Sequence, residues 1–207
     1  MNNGVKSRLL AYDLLEEVNV NGAYANLALP KILESSNLEV KDRAFVTELS
    51  YGTLRMQGLY DFIISQYSDR PILEIDIKLL NLLRLGAHQL FSMRVSQHAA
   101  LNETVEVCKK VAGQSRSAFL NALLRKMSAI ENLDKFLQER ISDPKELISV
   151  KYSHPVWIVD AFFDQLQDWD EVEKLLQANN VAATPNLIAW PSLSTTEELI
   201  QIGGTKI

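Results

Sequence analysis

The chain of 207 residues is 47% hydrophobic and 23% charged, a balance that lets a globular core form without staples. Its one cysteine, Cys108, excludes an internal disulfide and a cysteine-based zinc site. A net charge of −5 excludes a uniformly basic polyanion binder, and the lack of any run of about 18 apolar residues excludes a membrane-spanning helix.

The opening MNNGVKSRLLAYDLLEE carries acids early and no long apolar stretch, the wrong pattern for a signal or transit peptide. A cytoplasmic protein is expected. Apolar residues then recur at helical spacing along most of the chain. Val5 to Val18 predicts the first helix, with Leu9, Leu10, Leu14 and Val18 on one face. A second is expected from a cap at Asn26 to about Ser35. Asp42 to Gln66 reads as one long helix, in which Gly52 and Gly58 imply a bend or a close helix crossing. Ile75 to Met93 is apolar on most faces, so it is expected at the centre, with Gly86 allowing a close neighbour.

Residues 98–127, HAALNETVEVCKKVAGQSRSAFLNALLRKM, predict two amphipathic helices joined by a polar turn. After residue 130 two short acidic helices flank SDP, a helix starts near Pro155, and DWDEVEKLLQANN gives another whose first turn is acidic. NLIAWP is the one predicted strand, and STTEELIQIGG a capped helix stopped by Gly203 and Gly204. A lone strand cannot satisfy its own backbone, so this tail is expected to open a further domain.

Few residues suggest chemistry. No glycine-rich strand-to-helix turn is present, which argues against a nucleotide-type cofactor pocket in this chain. Cys108 falls on an apolar stripe and is expected to be buried and inert. His88 is expected as a hydrogen-bonded core residue, and His98 and His154 as polar residues at helix starts; no metal site is expected. Asn102 and Glu103 lie off the apolar stripe, as a solvated face, a buried polar tie, or a pair that orients a nearby cation.

The cations are unevenly spread. Residues 80–130 hold seven Lys and Arg against two acids, whereas residues 131–207 hold six against thirteen. A polyanion responds to charge within about 10 Å rather than to the total. Lys6 and Arg8 near the N-terminus and Lys109, Lys110 and Arg116 around the turn are the candidate phosphate contacts, with Arg125 and Lys126 about two turns on.

RAFVTELSYGTLR, LLRLGAHQLFSM, HAALNETVEVCKK and SAFLNALLRKM follow one another in the order seen in NusB-like domains. Together with KYSHPVWIVDAF and LLQANN they resemble the N-terminal region of the bacterial small-subunit rRNA cytosine-C5 methyltransferases of the Sun (RsmB) type. The resemblance implies an all-α, NusB-like bundle for 1–130, a helical linker over 131–182, and the start of an RNA-recognition subdomain over 183–207. It also implies a Rossmann-type catalytic domain that is absent from these residues, with S-adenosylmethionine expected there and no cofactor here. By this resemblance Lys6, Arg8 and Arg116 fall at RNA-contacting positions, supported by Lys109 and Lys110. The expected partner is small-subunit ribosomal RNA. The alternative is a protein-interaction module without direct RNA contact. Where the family often carries a basic strand ending in Asn-Pro, this chain has NLIAWP; Trp190 could stack on a base or lie in a core.

Overall fold

Helix α1 (Asn3–Asn19) begins where the Asn2 side chain accepts a hydrogen bond from the Val5 N–H at 2.9 Å. The computed structural model describes residues 2–182 and 187–202 of the chain. After α1 come α2 (Ala25–Glu34), α3 (Val40–Arg55), α4 (Gln57–Ser65), a short 3-10 turn (Ile72–Glu74), α5 (Ile77–Phe91), α6 (Gln97–Val111) and α7 (Gln114–Met127). Beyond these lie α8 (Leu133–Gln138), α9 (Pro144–Lys151), α10 (Val156–Leu166), α11 (Trp169–Asn179) and α12 (Thr196–Gln201). The architecture is all-α.

Helix α5 is the centre, as its composition requires. Every residue from Leu79 to Gln89 is buried, and the helix packs against α1, α3, α4, α6 and α7. Four of those buried residues are polar, and each needs partners in a place without water. Arg84 forms a two-point pair with Asp61 of α4, both bonds 2.7 Å. Asn81 accepts from Asn19 of α1 at 2.8 Å. The Nδ1 of His88 meets the Tyr60 hydroxyl of α4 at 2.7 Å. Gln89 accepts from Arg8 of α1 at 2.6 Å and donates to Thr104 of α6 at 3.1 Å. These polar ties fix the rotation and register of α5 against α1, α4 and α6, which apolar packing alone specifies loosely.

Close crossings occur where the glycines predicted them. A Cβ at Gly86 would overlap the Leu124 side chain of α7, and one at Gly52 would overlap the His88 ring. Three expectations are corrected. The long helix expected over 42–66 is two, because the backbone leaves the helical conformation at Met56 (φ −99°, ψ 18°), between Gly52 and Gly58. Its Gly58 N–H donates to Ser153 Oγ at 2.8 Å, a partner 95 residues away that no local pattern announces. The expected strand is not formed: Leu187–Trp190 has no regular structure, and no strand occurs among the described residues. Part of NLIAWP, and the glycine pair 203–204, lie outside the described residues. Helix α2 starts two residues earlier than expected, with Tyr24 rather than Asn26 at its cap position.

The later helices have a small core of their own. Val159, Val172 and Leu176 are fully buried, and Phe163 stacks on Trp169 with ring centroids 4.1 Å apart. Lys151 joins α8, α9 and α11 by pairing with Asp134 and Glu173. No described helix is long and apolar enough to cross a membrane.

Candidate nucleic-acid interface

The turn between α6 and α7 gathers positive charge for structural reasons. Lys109 and Lys110 occupy the last turn of α6, where the helix dipole favours cations. Gly113 then holds φ +91°, a left-handed backbone open to glycine, and starts α7 without a side-chain cap. The first turn of α7 holds no acid but does hold the exposed Arg116. A cation at the positive end of a helix dipole works against stability. Both the dipole and the guanidinium favour an anion at that spot. Asp76, which caps α5 through the Lys78 N–H, supplies one at 3.3 Å.

A cation that the sequence reading missed joins this face. Arg70, exposed in the loop before α5, lies with its guanidinium 5.9 Å from the centroid of the Phe119 ring. Phe119 is three residues from Arg116 and so on the same side of α7. Arg70 sits in SDRP, a loop remote from the basic turn in sequence, and only the packing of that loop on α7 brings it there. The field of Arg116 also reaches the buried Cys108: burial pushes the thiol pKa up, and Arg116 opposes the shift. Cys108 is fully buried, as its place on the stripe predicts.

The five predicted contacts do not form one patch. Lys109, Lys110 and Arg116 share the α6–α7 turn; Lys109 pairs there with Glu106 at 2.5 Å. Lys6 donates to the Ser36 carbonyl at 2.6 Å, on the side of α1 facing the α2–α3 connection. Arg8 is corrected outright. Its side chain is 5% exposed and pairs with Glu103, while its other donors reach Gln89 and the Gly4 carbonyl. The Phe45 ring covers it at 5.0 Å. Burial pulls its pKa down and Glu103 pulls it back up. A guanidinium so enclosed cannot reach a phosphate outside.

The NETVE segment thereby acquires a reason. Glu103 holds Arg8, and Thr104 holds the Gln89 that also binds Arg8, so two adjacent residues of α6 lock α1 and α5 together. Of the open alternatives for Glu103, the polar tie between helices is the one formed, with Arg8 of α1 as its partner. Asn102 instead pairs with the exposed His98 at 2.8 Å. Trp190 is 66% exposed, so it belongs to no core. Among the described residues no group of His, Cys, Asp and Glu could hold a metal ion.

The NusB family model matches residues 5–129. The chain belongs to the NusB family. A protein of Mycobacterium tuberculosis is 36% identical over 197 residues, covering 93% of this chain and 43% of that protein. The ribosomal RNA small subunit methyltransferase B of Pseudomonas putida is 30% identical over 181 residues, covering 87% of this chain and 39% of the enzyme. The chain spans less than half the length of these curated relatives. In three dimensions the chain is similar to the crystal structure of PH0851 (TM-score 0.66, 18% identity, 87% of this chain and 39% of that one). It is also similar to NusB of T. maritima (TM-score 0.56, 18% identity, 66% of this chain and 97% of that one). At those identities the two structures speak for the fold alone. The resemblance to small-subunit rRNA methyltransferase B drawn from the sequence motifs agrees with these matches.

Proposed function

We propose that this chain is the RNA-binding, targeting region of a small-subunit rRNA cytosine-C5 methyltransferase. The observation that carries the reading is the α6–α7 face, where Lys109, Lys110 and Arg116 flank a helix start with no side-chain cap and no acid in its first turn, and Arg70 lies beside Phe119 of the same helix. Membership of the NusB family and the name of the Pseudomonas putida relative support it. In this reading residues 1–130 grip the sugar-phosphate strand, 131–182 act as a spacer, and 183–207 begin a further RNA-contacting unit. In this reading S-adenosylmethionine serves a methyltransferase portion rather than these residues, and no step through it is assigned to residues of this chain.

The test is fluorescence anisotropy of a labelled small-subunit rRNA fragment titrated with the chain across a salt series. Weak binding that falls steeply with salt is expected. Absence of binding, or binding indifferent to salt, would sink the reading.

A protein-interaction module is the second reading, and one observation favours it. Leu73, 97% exposed in the 3-10 turn that leads into Asp76, sets an apolar side chain close to the basic face. Recovery of a stable protein partner together with undetectable RNA binding would decide for that role.

A further inference from the structure

An open groove of about 670 Å³ lies where α1, α3 and α4 meet the turn between α9 and α10. Asn19, Arg55, Gly58, Asp61, His154 and Pro155 are among its lining residues. The volume is that of a small-molecule site.

The charges around it do not cancel. Both oxygens of Asp61 are held by Arg84, so this acid is already neutralised. Arg55 is half-buried, and no acid among the described residues forms an ion pair with it. A partly desolvated guanidinium without a counter-ion favours an anion, and its planar fork of donors matches the oxygens of a phosphate.

The opposite wall is shaped by a strained turn. Ser153 holds φ +56°, uncommon for a residue with a side chain, and its Oγ accepts from the Gly58 N–H. The turn places His154 against the groove. Its Nδ1 lies 2.7 Å from the Tyr152 carbonyl and so carries a proton, while Nε2 meets no partner among the described residues. The groove therefore offers a fixed cation and an imidazole nitrogen, with Leu54, Val150 and Pro155 supplying apolar surface beside them.

We propose that this groove binds a phosphate group on Arg55, carried either by a free mononucleotide-sized ligand or by a nucleotide of an RNA strand. None of Arg70, Lys109, Lys110 and Arg116 lines it, so the site is separate from the α6–α7 face and stands or falls apart from it.

The test is heteronuclear NMR on the whole chain, titrated with inorganic phosphate, adenosine 5′-monophosphate and a uridine hexanucleotide. Saturable shifts at the Arg55 Nε–H and the backbone of Gly58 and His154 are expected with at least the mononucleotide. Arg55→Gln is expected to weaken that binding about tenfold, the loss of one charge-assisted hydrogen-bonded contact, while Arg55→Lys retains part of it. Shifts with the hexanucleotide as well assign the site to an RNA strand; shifts with the free anions alone assign it to a small ligand. No shift with any of the three probes overturns the proposal. Equal affinity in wild type and Arg55→Gln does the same.

Discussion

Arg8 and Glu103, 95 residues apart, form an ion pair, buried at the arginine and partly exposed at the acid, that closes α1 against α6. The Arg8 guanidinium also donates to Gln89 of α5, so three helices meet at one side chain. Such a pair adds little net stability when intact, but removing one member strands the other charge in a low dielectric. Glu103→Ala is therefore expected to destabilise the fold by about 3 kcal/mol. Urea denaturation measures the loss. RNA affinity of the protein that remains folded is expected to stay within twofold of wild type. A stable variant with lost RNA binding would instead return this pair to the interface.

The α6–α7 face is expected to behave oppositely. Arg116 and Arg70 are exposed, and their removal costs the fold little. If each meets one phosphate, Arg70→Gln and Arg116→Gln should each lower the slope of log affinity against log salt by about 1. Lys6→Gln, on the α2–α3 side of α1, should leave that slope unchanged. Anisotropy titrations at four salt concentrations read all three. Identical slopes in wild type and both arginine variants would remove this face from RNA contact.

The central helix, the glycine crossings, the buried thiol and the turn at Gly113 were legible because local pattern dictates each. Arg8 was misread although its signal was present. Ala11, Tyr12 and Leu15 follow it at three, four and seven residues, which places Arg8 on the buried stripe, whereas Lys6 falls on the far side. A cation on such a stripe implies a buried acid, and Glu103 was available. Gly52 and Gly58 signalled a bend in the 42–66 helix, but no local pattern placed a full break at Met56. It arises where Ser153, from a distant turn, takes the first-turn N–H of Gly58. Arg70 was missed for the same reason, since its place beside Arg116 comes from loop packing rather than spacing. NLIAWP has the apolar character of a strand, but Leu187–Trp190 meets no second strand among the described residues, and a strand needs a neighbour to exist.

His88 links pH to stability. Burial holds its pKa down at about 4, and the charge of Arg55 adds to the effect. The unfolded chain takes up a proton near 6.5, above the folded value, so protonation favours unfolding. The contribution is present in full above about pH 6.5 and is lost as pH falls towards 4, up to roughly 3 kcal/mol. The imidazole Cε1–H resonance is expected to titrate with a midpoint near 4, in parallel with a loss of urea resistance over that window. A midpoint near 6.5 would show that the ring is solvated and the Tyr60 contact absent.

Gly86 tests how tightly α5 and α7 cross. A Cβ there would overlap the end of the Leu124 side chain, which is flexible but itself fully buried. Crowding of this kind costs about 1–3 kcal/mol, against a helix-propensity gain for alanine of about 1 kcal/mol. Gly86→Ala alone is thus expected to be destabilising by about 1 kcal/mol. In a Leu124→Ala background the clash disappears and only the propensity gain remains, so the same change should become stabilising. Urea melts of the four proteins in this double-mutant cycle read the reversal. If Gly86→Ala has the same effect in both backgrounds, the two helices do not meet at this pair, and the close crossing that seats α7 on the central helix is wrong.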